Sequence, residues 1–234
     1  MICCMKLTPF VVFLLLSFSS FADDIDKAVQ KLESDWANIY YSHQISNKKA
    51  AYTTLLDETI ELSKQNPKRA EFFFWQAVIK ATNAEHQDGI SALIAINEAR
   101  DLLLKAITLD PNTMDGSAFV TLGTLYYLSP GWPIAFGDAN KAEKYLKTGL
   151  EINPQGIDSN YYYGDFLLKQ NKPEKAVKYF KHAIKAHVRK EQKFADTQLK
   201  AEAKRALNKL AQLQNNAPKS LIASNLTPSQ SSPR

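Results

Sequence analysis

Cysteine is almost missing. The 234 residues contain two, Cys3 and Cys4, both ahead of the first apolar run. Beyond residue 4 no disulfide, zinc-thiolate site or thiol nucleophile is available. Histidine is scarce as well, and of His43, His86, His182 and His187 the last two are five residues apart, off a shared helix face, so they form no metal pattern. Glycine is never gathered into a phosphate-cradling loop, and the chain has neither a nucleophile elbow nor an HExxH pair. Asp165 stands without a second carboxylate to share acid–base work. These absences point away from an enzyme and leave no expected catalytic residue, cofactor or metal. Long apolar stretches are missing too: the one run, Pro9 to Phe18, falls well short of the roughly 20 residues that span a bilayer.

That run has another use. Lys6 gives a short positive start, and Ser20-Phe21-Ala22 puts small residues where a signal peptidase reads, so residues 1–22 are expected to be a secretory signal peptide. No cysteine follows the run, which argues against a lipoprotein. The formal charge of +5 is uneven: residues 169–219 carry fourteen Lys and Arg against four Asp and Glu, whereas the remainder carries fifteen against twenty. The basic end reads as the solvated outer face of helices, or as a surface for an acidic partner or anionic lipid. Export makes nucleic acid an unlikely target.

Apolar positions recur every three or four residues over Asp24–His43, and a second helix is expected over 48–64, ending before Asn66-Pro67. Together they form a degenerate helical pair over 23–67. A helix over 69–83, apolar around most of its circumference, should be buried on several sides. Another follows from Gly89 to Thr108.

The clearest signal lies further on. Residues 160–170 and the stretch from Pro173 read as two antiparallel helices broken at Asn171-Lys172, with proline in the first helical position, where a missing N–H is no loss. Gly164, Leu167, Ala176, Phe180 and Ala183 match the spacing of a tetratricopeptide repeat (TPR), and Ala142, Leu146 and Gly149 precede Ala176, Phe180 and Ala183 by 34 residues each. The preceding interval, Ala99 to Ala142, is 43. Most of its excess lies between Gly123 and Ala142, where the insertion Ser129 to Asp138 sits. The fold expected is therefore all-α, a TPR-like solenoid of antiparallel helix pairs over 68–190. An amphipathic helix over 191–214 should cap it with a polar outer face, and a disordered tail should follow over 215–234.

The insertion holds Trp132, Ile134 and Phe136 on a backbone stiffened by two prolines and two glycines, and Asp138 is placed to cap the next helix. Either the loop folds back to plug the solenoid, with Trp132 and Phe136 as its core, or it borders a binding groove. In the repeat register the groove is lined by Phe74, Val78, Val120, Thr124, Tyr127, Tyr161, Tyr162, Asp165 and Leu168. That lining suits an apolar small molecule or a peptide, or else is filled by another element such as the carboxy-terminal helix. The ligand or partner site expected from these patterns comprises Phe74, Tyr127, Trp132, Phe136, Tyr161, Tyr162 and Asp165, with the loop and the Tyr161-Tyr162 face side by side.

The stretch Leu109 to Leu168, with PGWPIAFGD and YYYGDFLL as its specific parts, resembles the TPR-type T-component family associated with TRAP transporters. These import organic solutes using a periplasmic binding protein. The resemblance implies an all-helical, periplasmic, non-catalytic protein that can oligomerise and that passes solute to or from a solute-binding protein. Some relatives are anchored through a lipoprotein cysteine, which this chain lacks. The function expected is thus protein–protein interaction in the periplasm, with a small apolar or carboxylated organic ligand in the groove. The alternatives are an envelope scaffold without a solute and a secreted effector.

Overall fold

The computed structural model describes residues 10–190 and 192–216. Residues 1–9 of the expected signal peptide and residues 217–234 of the expected tail lie outside them, while residues 215 and 216, expected in the tail, continue the last helix. The described residues form helices α1 (Phe10–Tyr41), α2 (Lys48–Gln65), α3 (Ala70–Asn83), α4 (Gly89–Leu109), α5 (Ser117–Leu128), α6 (Ala139–Ile152), α7 (Ile157–Lys169), α8 (Pro173–Lys185) and α9 (Lys193–Asn216), and no strand. No described helix is long and apolar enough to cross a membrane. The helix expected from residue 24 starts earlier and is continuous from Phe10, across the expected cleavage position.

The helix ends are set by local chemistry. Asn47 accepts the Ala50 N–H at 3.0 Å, and Asp88 accepts those of Ile90 and Ser91 at 3.2 and 3.1 Å; these side chains satisfy amides that have no partner in the first turn. Asn171 closes α7 in the left-handed region (φ 55°), and the Asn171 and Lys172 N–H groups turn back to the Leu168 and Leu167 carbonyls at 3.0 and 2.9 Å. Pro173 then opens α8.

Consecutive helices pair as antiparallel hairpins: α3 with α4, α5 with α6, α7 with α8. Each second helix presents its small and bulky residues to its partner, and Ala99, Leu103, Ala106, Ala142, Leu146, Ala176, Phe180 and Ala183 are fully buried. The close approach is tightest at Gly123, where a Cβ would stand 2.7 Å from Leu146 Cγ and 3.1 Å from the Ala142 carbonyl. The result is an all-α TPR-like solenoid with one continuous core running from Ile25 to Ala203.

The ends of the solenoid meet. α1 packs on α2, α3 and α9, while α9 packs on α8, α7 and α1. The rings of α1 make the seam: Trp36 lies 5.8 Å from Trp75 of α3 and donates its indole N–H to Thr82 Oγ1 at 3.2 Å, and Tyr41 meets Phe194 of α9 at 5.9 Å. α9 is therefore more than the solvent-facing cap expected from its pattern. Its Leu199 and Ala203 are buried, and with α1 it fills part of the concave face.

Candidate functional site

What the terminal helices leave of the groove is a cavity of about 250 Å3, bounded by α1, α3, α5, α7 and α9. Phe74, Val78, Val120, Thr124 and Tyr162 line it from the first helices of the repeats, and Trp36, Tyr40 and Tyr41 face them from α1. Tyr162 lies deep in the protein, and burial pushes its hydroxyl well above the usual phenol range. It keeps accessible surface because part of its ring faces this open space. A second, more open cavity of about 380 Å3 adjoins the first and shares Glu33, Met114, Arg189 and Gln192 with it.

The boundary between the two is polar. Arg189 donates to Asp196 from Nη2 at 2.6 Å, from Nε at 3.2 Å and from its backbone N–H at 2.8 Å. Asp196 is 1% exposed whereas the Arg189 side chain is 33% exposed, so the bidentate pair is buried at its carboxylate and half-buried at its guanidinium. Glu33 of α1 is 7% exposed and faces the same guanidinium. Burial, with Asp196 and Asp158 nearby, pushes its carboxyl up to about 7 against the pull of Arg189 and a hydrogen bond from Gln192. Asp158, at the start of α7, accepts a hydrogen bond from Ser117 of α5. One cation thus stands among three carboxylates drawn from α1, α7 and α9. Among the described residues no group of His, Cys, Asp and Glu is placed to hold a metal ion.

The backbone beside the boundary is unusual. Met114 and Asp115 take φ values of 50° and 53°, and Gly116 follows at 81°, so two non-glycine residues sit in the left-handed region, at about 1–2 kcal/mol each. Such strain gathers at sites where a precise shape is needed, and Met114 lines both cavities.

The expected site residues divide into three groups. Phe74 and Tyr162 line the inner cavity. Tyr127, Asp165 and Tyr161 pack nearby without lining it. The Tyr127 hydroxyl donates to Asp165 Oδ2 at 2.7 Å while its ring meets Phe166 at 5.7 Å, and Tyr161 packs between Tyr162 (5.1 Å) and Phe180 (5.8 Å). Burial and the Asp165 carboxylate hold the Tyr127 proton in place.

Trp132 and Phe136 belong to the insertion, which is not beside the Tyr161-Tyr162 face. None of its residues lines either cavity, because hydrogen bonds turn it onto the end of α5. The Gly137 N–H donates to Pro130 O at 2.8 Å and the Asp138 N–H to Tyr126 O at 2.9 Å. Phe136 packs edge-on against Tyr126 at 5.2 Å, with the Arg100 guanidinium 4.7 Å above its ring. Trp132, which precedes a cis peptide to Pro133, is 88% exposed, and Ile134 is exposed beside it. So the two alternatives for the loop are each half realised: Phe136 plugs, Trp132 projects, and neither borders the groove. Asp138 caps α6, accepting the Asn140 and Lys141 N–H groups at 2.9 and 3.0 Å.

Sequence reasoning did not bring Glu33, Trp36, Trp75, Asp158, Arg189 or Asp196 into the site. Trp36 and Tyr40 read as core of an amphipathic helix, and Arg189 as one of many basic residues. Nothing in local spacing announces that α1 and α9 converge.

A tetratricopeptide repeat family model matches residues 134–193, which span α6, α7 and α8, the part of the chain where the 34-residue interval is undisturbed. The crystal structure of MamA is similar at a TM-score of 0.42 with 16% sequence identity, over 71% of this chain and 94% of that one. No curated protein matches the chain. The repeat match and the helix hairpins together describe an all-α TPR-like helical solenoid.

Proposed function

We propose that this protein is an exported, non-catalytic adaptor of the periplasm that joins a protein partner to a small organic solute. The observation carrying the proposal is the closure of the groove. A peptide-binding solenoid presents an open concave face, whereas here α1 and α9 occupy it and leave a ring-lined cavity of about 250 Å3, close to the lower end of small-molecule sites.

With the concave face occupied, the partner is assigned to the outer surface. There Trp132 and Ile134 are exposed, and aromatic anchors on rigid loops are the usual centres of protein recognition. The likeness of Leu109–Leu168 to TRAP T-components supports a solute-binding protein of such a transporter as the partner. The signal-peptide pattern of residues 1–22 supports the periplasm. The carboxylated solute expected from sequence suits the cavity poorly, since Arg189 is already held by Asp196 and the other ionisable groups beside it are acidic.

The test is crosslinking in intact cells followed by fractionation. The mature protein should be recovered in the periplasmic fraction with a solute-binding protein attached, and Trp132→Ala should lose that product while the protein level holds. Recovery in the cytosol, or from the periplasm with no crosslinked partner, overturns the proposal.

A further inference from the structure

We infer that the two adjoining cavities bind a small organic cation with an aromatic or apolar body and one hydrogen-bonding oxygen; this rests on the reading that the enclosed space holds a solute. The first observation is the charge of the lining. The chain as a whole is basic, at +5, yet among the described residues the inner cavity is lined by Glu33, Glu85, Asp158 and Asp196 against Arg189 alone. The outer cavity adds Asp26, Glu71, Asp110 and Asp115 and, among the described residues, no further base. Arg69 offsets two of these from outside, pairing with Glu71 at 2.7 Å and standing 3.8 Å from Asp26. A recess of one sign with low-dielectric walls concentrates ions of the other sign. An anion would have to displace Asp196 from the guanidinium it holds bidentately.

The second observation is the wall. Trp36, Tyr40, Tyr41, Phe74, Trp75 and Tyr162 put six aromatic side chains around the inner space, and ring faces attract cations, most strongly where water is excluded. The carboxylates do not converge as metal ligands do; they are spread along the cavity. That spacing fits the charged end of an extended organic molecule better than a point ion.

The third observation is a pair of unanswered groups. Trp75 Nε1 and Thr113 Oγ1 are buried without a hydrogen-bond partner. Each belongs to a side chain that is 3% exposed and that lines one of the cavities, Trp75 the inner and Thr113 the outer. A buried donor without an acceptor is costly, and although neither atom reaches the cavity surface, a small shift of the wall on binding would let a ligand oxygen answer it.

The experiment uses three molecules that share a ring, a hydroxyl and a two-carbon arm: tyramine (cation), tyrosol (neutral) and 4-hydroxyphenylacetate (anion). Calorimetric titration of the full chain at pH 8 should rank tyramine at least tenfold tighter than tyrosol, with the anion not binding. Glu33→Gln should reduce the preference for tyramine over tyrosol to about threefold or less while tyrosol binding persists, which shows that the cavity is intact. Tyramine affinity should also rise about tenfold between pH 6 and pH 8, because Glu33, facing Arg189, Gln192, Asp158 and Asp196, must give up its proton to pair with the ammonium. Equal affinity for tyramine and tyrosol, or tighter binding of 4-hydroxyphenylacetate, overturns the cation while leaving a solute cavity. Binding of none of the three overturns the cavity as a solute site as well.

Discussion

Glu33→Gln is predicted to stabilise the protein at high pH and to leave it nearly unchanged at low pH. Glu33 is buried and holds its proton up to about 7 in the folded state, against the usual 4.5 of a solvated glutamate. Between these values the folded chain binds more protons than the unfolded one, so stability falls as pH rises from about 4.5 to about 7 and levels off above. Moving the proton affinity from 4.5 to about 7 amounts to roughly 3 kcal/mol, at about 1.4 kcal/mol for each tenfold change. Glutamine has nearly the same shape and no titration, so the variant does not lose this amount. Urea unfolding of both proteins at pH 4 and pH 8, read by circular dichroism, gives the test, because contributions from other titrating groups cancel between variant and parent. The advantage of the variant should be about 3 kcal/mol larger at pH 8 than at pH 4. An advantage that does not change with pH would refute the burial argument, and a loss at pH 8 would mean that ionised Glu33 is held by Arg189 as a net stabilising pair.

Gly123→Ala should destabilise by about 1–3 kcal/mol, since its Cβ would overlap Leu146, whereas Gly89→Ala, with open space around it, should be neutral or slightly stabilising in the same denaturation assay. Phe136→Ala should lower stability by about 1–3 kcal/mol through lost contacts with Tyr126 and Arg100. Trp132→Ala should stay within about 0.5 kcal/mol of the parent, because the side chain meets solvent. Tyr127→Phe removes the hydrogen bond to Asp165 and should cost about 1–2 kcal/mol in thermal or urea unfolding.

The parts of the fold legible in the sequence are those set within one repeat. Ala142, Gly149, Ala176 and Ala183 are small because two helices approach there, and the requirement recurs with the period of the unit, so residues 34 apart carry the same information. Helix ends were readable for the same reason: Asp138 acts on amides two and three residues away, and Pro173 stands at the start of a helix, where its missing N–H needs no partner. The insertion could be located by arithmetic, yet its direction could not. Whether Phe136 or Trp132 turns inward depends on Tyr126 and Arg100, which lie on two other helices.

The site failed to show for a stronger reason. Its groups come from α1, the start of α7, the α8–α9 connection and α9, and they meet only because the curvature of three hairpins brings the first helix back to the last. Curvature is the sum of small rotations between units, and no single position encodes it. The closure explains why the carboxylates were unremarkable one at a time. Glu33, Asp158 and Asp196 each sit in an amphipathic helix as a polar residue should, and each alone reads as solvated. Burying them around one guanidinium is expensive unless the arrangement is used. The stability lost as pH rises from about 4.5 to about 7, carried by Glu33, is the cost that a cation in the cavity would offset, since its charge would supply the counter-ion that Arg189 cannot provide to all three. The pH dependence of stability and the pH dependence of cation binding are thus two readings of one group. They must move in opposite directions across pH 7, the first falling and the second rising, and parallel movement would rule out Glu33 as the residue that joins them.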